Sequence, residues 1–130
     1  MHKEGLSEKK LEVLFLSEIS RKLIQTLSNE NSIKILQLLE TNEMSAGELA
    51  EKLELSLNTI KYNLDSLLEV DLIRISDTKW SQRGRKIKIY ELVEKILVFI
   101  PSYRKENEES ILNLLWDVKE KNSVLERIDF

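Results

Sequence analysis

The chain contains no cysteine. Disulfides, thiolate metal sites and thiol-based switches are therefore excluded. Its single histidine is His2, at the very start, so neither a Ser/His/Asp set nor an imidazole-rich metal site is available. There is no P-loop and no G-x-G-x-x-G, which removes the common phosphate cradles. The carboxylates are plentiful but spread along helical stretches, where i,i+4 pairing with lysine accounts for them. The expectation is a protein that is not an enzyme and needs no cofactor. With three glycines and one proline, there is little material for long loops. The longest unbroken apolar run, Ile96 to Ile100, is far too short to span a bilayer. The N-terminal residues lack the apolar core of a signal peptide. No membrane association is expected, and the cytoplasm is the expected compartment.

What is present is a leucine- and isoleucine-rich chain of 130 residues, 42% hydrophobic and 33% charged. That balance fits a soluble, mainly helical globule. The formal net charge is −3, so the whole chain is no basic coat for a polyanion. Distribution matters more than the sum. Lys79, Arg83, Arg85, Lys86 and Lys88 lie between Thr78 and Ile89 with no acid among them. The rest of the chain then holds 15 basic residues against 23 acidic ones. Positive charge is concentrated at one place.

The organising stretch is Ser45 to Ile73, SAGELAEKLELSLNTIKYNLDSLLEVDLI. Ser45 and Glu48 match the S-x-x-E capping box and predict a helix start. Leu49, Ala50 and Leu53 give that helix an apolar stripe. Ser56 is a suitable cap for a second helix, predicted over about 57–69. There Ile60, Leu64 and Leu67 fall on one side, with Leu57 near it. Asn58, Thr59, Lys61, Tyr62 and Asp65 fall elsewhere. A second helix with a small-polar first turn and no apolar outer face suits the major groove of DNA.

Beyond it, Leu72 to Ser76 reads as a strand, and Lys86 to Leu92 alternates strictly. On the second strand Ile87, Ile89 and Glu91 share one face, and Lys86, Lys88, Tyr90 and Leu92 the other. Between the strands lies DTKWSQRGRK, in which Gly84 supplies the backbone freedom of a hairpin tip. The result is a hairpin of about twenty residues with a cationic tip, a wing over about 77–86. Trp80 is expected to pack at its base, and Ser81 and Gln82 to offer neutral phosphate contacts.

The flanks read as follows. Met1 to Leu6 reads as a disordered tail. Ser7 is the expected cap of a helix to about Leu27, whose broad apolar stripe suits its own domain on one side and a second subunit on the other; simple core packing is the alternative. Asn29 caps a helix from Glu30 to about Glu40, with Ile33, Leu36 and Leu39 as its core face and Ile35 and Leu38 broadening it. Ile96 to Ile100 reads as a short strand, a helix stopped by Pro101 being the alternative. Asn107 caps a last helix with Ile111, Leu114, Leu115 and Val118 on its stripe. Ser123 and Glu126 can form a further capping box, with Leu125 and Ile128 beyond the break.

Glu48-Leu49-Ala50, Leu53, Ser56, Ile60, Leu64, Leu67 and Leu72-Ile73 resemble the helix-turn-helix of ArsR-type winged-helix transcription regulators. LSNENSIKILQLLE resembles the family's opening run, with Ser32 in place of an arginine. Gln82 to Lys86 and Tyr90 resemble its wing. The chain departs from the pattern at Lys61 and Asn63, which replace the usual Ser and His. Glu54 and Asp71 stand where glycine is frequent. The Cys-based metalloid site of some members is absent. The resemblance implies a mainly α fold with a small β-hairpin, a winged helix-turn-helix with N- and C-terminal dimerisation helices. The expected division is a DNA-binding domain over 1–100 and a C-terminal helix over 101–130, with a homodimer formed through the terminal helices. The implied function is sequence-specific regulation of transcription on double-stranded DNA, as a repressor. Ser56, Asn58, Thr59, Lys61 and Tyr62 would serve the major groove, with Ser56 on phosphate. Lys79, Arg83, Arg85 and Lys86 would grip the backbone or minor groove. The alternative is a winged helix used as a protein-interaction module in a transcription complex; structured RNA is a third partner to weigh.

Overall fold

The computed structural model describes residues 10–16, 19–101 and 108–120. These form two compact units, one spanning Ser20–Val93 and the other built from chain up to Ile19 and from Glu94 onward. The tail, the Ser7 and Asn107 caps and the Ser123/Glu126 box lie outside the described residues.

The Ser20–Val93 unit begins with α1 (Arg21–Leu27), capped by Ser20, whose hydroxyl accepts from the Leu23 N–H at 3.0 Å. Asn29 then caps α2 (Glu30–Leu39), as expected, accepting from the Asn31 and Ser32 N–H groups. Helix α3 (Ala46–Leu53) starts on the capping box formed by Ser45 and Glu48. Helix α4 (Leu57–Glu69) starts on Ser56, whose Oγ accepts from the Thr59 N–H. Both positions where the resembled pattern favours glycine are left-handed, Glu54 at φ 57° and Asp71 at φ 61°. The turn between α3 and α4 and the exit from α4 therefore keep their geometry without glycine.

The core of this unit sits between α2, α3, α4 and a small sheet. Ile60, Leu64 and Leu67 of α4 are buried completely, with Leu49 of α3 and Ile35 of α2, and Leu39 of α2 is nearly so. Each such side chain contributes about 2 kcal/mol of burial. Leu57, at the start of α4, is exposed. The face that α2 buries differs from the expected one. It is centred on Ser32, Ile35 and Leu39, while Ile33, Leu36 and Leu38 are only half-buried. The reason is polar. The Ser32 hydroxyl donates to Asn63 Oδ1 at 3.1 Å, and Asn63 Nδ2 donates to the Thr59 carbonyl at 2.8 Å. That chain of bonds turns a serine inward and ties α2 to the first turn of α4.

The sheet has the order β2-β4-β3, from β2 (Met44–Ser45), β3 (Ile73–Trp80) and β4 (Lys86–Leu92). Its strands are antiparallel, with a bulge at Ser76 between the Ile75–Tyr90 and Asp77–Ile89 pairs. Buried Met44 opposes Tyr90, so two residues of β2 fasten the hairpin to the start of α3. Strand β3 runs four residues further than expected, through Asp77-Thr78-Lys79-Trp80. The turn shrinks to Ser81–Arg85, closed by Ser81 N–H to the Arg85 carbonyl at 2.8 Å, with Gly84 at φ 77°.

In the other unit the N-terminal helix expected from Ser7 is corrected. Residues Lys10–Phe15 form a strand, β1, paired in parallel with β5 (Lys95–Ile100). The spacing of Leu11, Leu14 and Phe15 fits a helix, but Leu11, Val13 and Phe15 also alternate. The partner strand decides between the two, because its ladder satisfies the backbone of an apolar segment that has β-branched Val13 at its centre. Lys95 and Glu12 reinforce the pairing at 3.0 Å. Ile96 to Ile100 is thus strand, as expected. Helix α5 (Glu108–Glu120) is present, with Ile111 and Leu115 half-buried and Leu112, Leu114 and Trp116 exposed.

The Ser32–Asn63 bond generates a test. Asn63→Ala is expected to lower unfolding free energy by about 1–2 kcal/mol, since it strands a buried hydroxyl. The Ser32→Ala/Asn63→Ala double variant should fall short of the sum of the single losses by about 1 kcal/mol. Urea denaturation of the four proteins reads this directly; strict additivity would mean that the two side chains act independently.

Candidate nucleic-acid interface

The side of α4 opposite its buried residues carries Asn58, Lys61, Tyr62 and Asp65. Their i, i+3, i+4, i+7 spacing places them on one stripe, and all four are exposed, Tyr62 to 64%. Three of the five residues expected on this helix surface therefore meet there. The other two are engaged locally. The Ser56 hydroxyl donates to Thr59 Oγ1 at 2.9 Å, and Thr59 itself is half-buried. Asp65 was not among the expected site residues, yet it completes the stripe. Asn63, a departure from the resembled pattern, faces the interior and is 2% exposed; it positions the helix rather than a ligand.

Helix α4 leads through Val70-Asp71-Leu72 straight into β3, so the wing is built on the helix's C-terminal end. Directly opposed residues of an antiparallel pair share a face. At the wing's base this puts buried Ile73 and Tyr90 on the core side, while Arg74 and Glu91, bonded at 2.7 Å, occupy the outer side. Along the distal half, Lys86 and Lys88 continue the Tyr90 face, opposite Trp80 and Thr78; Lys79 lies on the other face, opposite Ile87. Arg83 and Arg85 sit in the turn. The cations thus ring the outer half of the wing rather than lining one side. All five are exposed, and none has a carboxylate within 4 Å among the described residues. Charges of one sign held in this way keep their field for a polyanion. Lys88 was not assigned a contact from the sequence; it is as exposed as Lys86.

Two wing residues lie differently from expectation. Trp80 is at the far end of β3, 70% exposed, and not at the base. The extension of the strand carries it outward. Ser81 is half-buried, and its Oγ accepts from the Arg85 N–H at 3.0 Å, so it shapes the turn. At the wing base, burial pushes the Tyr90 phenol above its usual range, and the carboxylate of Asp65 pushes it further the same way. Among the described residues no group of His, Asp and Glu side chains is arranged to hold a metal ion, and no helix is long and apolar enough to cross a membrane.

Residues 27–75 match the helix-turn-helix domain family. Among solved structures the chain is similar to HlyU from Vibrio cholerae, at 30% identity over 56% of this chain and 73% of that one, with a TM-score of 0.45. It is also similar to the transcriptional regulator HlyU from Vibrio vulnificus, at 25% identity over 75% of this chain and 83% of that one, TM-score 0.43. A third similar structure is the homodimeric winged helix-turn-helix DNA-binding domain Mb0332 from Mycobacterium bovis, a possible ArsR-family transcriptional regulator. It shares 18% identity over 77% of each chain, TM-score 0.45. No curated protein matches the chain. The winged helix-turn-helix reading of Ser45–Ile73 and of the wing is borne out.

The raised Tyr90 phenol has a consequence for stability. The folded state keeps that proton at a pH where the unfolded chain has begun to lose it, so the stabilisation is whole below about pH 10 and declines as pH rises further. Thermal melts between pH 8 and pH 11 should show a falling midpoint above pH 10. Tyr90→Phe should flatten that fall; an unchanged slope would mean the phenol is not responsible.

Proposed function

The chain belongs to the winged helix-turn-helix regulators, the family of HlyU, and we propose that it regulates transcription by binding specific duplex DNA, as a repressor that occludes its site. The carrying observation is the exposed Asn58–Lys61–Tyr62–Asp65 stripe on a helix that leads into a wing whose cations have no carboxylate partner among the described residues. A helix enters the major groove with its exposed stripe towards base edges. Asn58 offers the paired donor and acceptor that suit adenine. Lys61 donates to guanine, and Asp65 accepts from a cytosine amino group. Tyr62 adds a phenol at the edge of the same stripe. Lys79, Arg83, Arg85 and Lys86 neutralise phosphates, with Lys88 beside them; this supplies affinity and register but little sequence information. Ser56 and Thr59 contribute by holding the first turn of α4, and the exposed Ser56 hydroxyl donates to a backbone phosphate by turning its proton away from Thr59 Oγ1.

Two copies are needed for a two-fold operator, with half-sites about one helical turn apart. The exposed Leu112, Leu114 and Trp116 of α5 support a homodimer that uses the segment from 101 onward. The N-terminal part of that expected interface is revised, since Lys10–Phe15 is strand.

Duplexes selected from a random pool with the purified chain supply the probe. Anisotropy should then show affinity falling about 10,000-fold between 50 and 200 mM salt, the dependence that eight neutralised phosphates, four on each copy of the dimer, produce. Arg83→Glu/Arg85→Glu should lose at least about tenfold in affinity and flatten the salt dependence by about four units of slope, two from each copy, with the fold intact. No selected duplex, or an affinity indifferent to salt and to the double change, would favour the protein-interaction reading instead.

A further inference from the structure

Trp80 is the most exposed large apolar side chain of the described residues, at 70%. It stands seven residues out along β3 from fully buried Ile73, roughly 20 Å at strand rise, so no core within its own unit reaches it. A single exposed apolar residue is ordinary. The setting of this one is not. It opposes Lys86, shares its face with Thr78 and Lys88, and adjoins the Ser81–Arg85 turn with its two arginines. Every cation around it is without a carboxylate partner among the described residues. A surface that joins a flat apolar ring to unneutralised positive charge fits a polyanion with apolar walls. The minor groove of duplex DNA has that character: deoxyribose on its sides, phosphate along its rims and hydrogen-bond acceptors on its floor.

We infer that Trp80 is a DNA-contacting residue of the wing, its indole packed against the sugar wall of the minor groove while Arg83, Arg85 and Lys86 hold the flanking phosphates. This rests on the DNA-binding reading above and adds to it a contact of different physics. The cations release counterions on binding and give the salt dependence. The indole gives an apolar contact, with its N–H free to donate to a groove acceptor, and that part is indifferent to salt. The width of the minor groove varies with sequence, so an indole seated on its wall favours the width that fits it and contributes to site preference without reading a base edge.

The test uses the full chain. Trp116→Phe leaves Trp80 as the sole tryptophan, and its emission is followed while a selected, labelled duplex is titrated in, with anisotropy recorded in parallel. The emission should change and saturate at the same midpoint as the anisotropy. Trp80→Ala should weaken binding by at least about fivefold with the salt slope unchanged, and Trp80→Phe should recover part of that loss. Arg83→Ala should instead lower the slope by about two, one from each copy. If anisotropy reports binding while the emission stays still and Trp80→Ala binds as tightly as the parent, the inference is wrong and the regulator reading stands. A loss in Trp80→Ala that comes with a lower slope would make Trp80 a prop for the cations, which also overturns the inference. If the parent chain binds no duplex, both readings fall together.

Discussion

The rotation of α4 about its own axis is the constraint on which the rest depends. Ile60, Leu64 and Leu67 must be inside, and their burial leaves Asn58, Lys61, Tyr62 and Asp65 outside. Apolar packing alone tolerates some turning of a helix, because it is not directional. The Asn63 amide is directional. Held by Ser32 from one side and the Thr59 carbonyl from the other, it allows little rotation without leaving a buried polar group unpaired, which costs more than the bond contributes. A polar side chain in the core thus decides which polar side chains reach the surface.

The wing is held by similar economy. Two residues of β2 pair with β4 and at the same time cap α3 through Ser45. The Leu72 carbonyl accepts from the Val93 N–H at 3.0 Å, closing the base of the hairpin. Ser76, at the bulge, donates to Glu43 in the turn before β2. The elements that present charge are therefore tied to those that present the α4 stripe, within one compact unit.

The parts that could be read from the sequence were those decided locally. Capping by Asn29, Ser45 and Ser56 involves residues three apart or fewer, and hydrophobic spacing placed α3 and α4 correctly. Gly84 marked the tip, and the cationic run marked the wing. The parts that could not be read depend on distant partners. Lys10–Phe15 becomes strand only because Lys95–Ile100 lies beside it, and its own spacing fits a helix as well. The buried face of α2 turns on a serine that meets an asparagine 31 positions away. These were two of the departures from the resembled pattern, and in the fold they are one interaction. Trp80 was misplaced for another reason: Asp-Thr-Lys is polar enough to read as loop, yet it continues the ladder through its backbone, to which side-chain polarity is indifferent.

The central claim is that the outer stripe of α4 and the distal wing act together on one duplex. Amide chemical-shift mapping of the uniformly labelled chain during titration with a selected duplex tests it most directly. The account predicts perturbations gathered at 58–65 and 78–88, with the buried amides of α2 nearly still. Perturbations confined to one of the two stretches, or centred on α1 or α3, would contradict it.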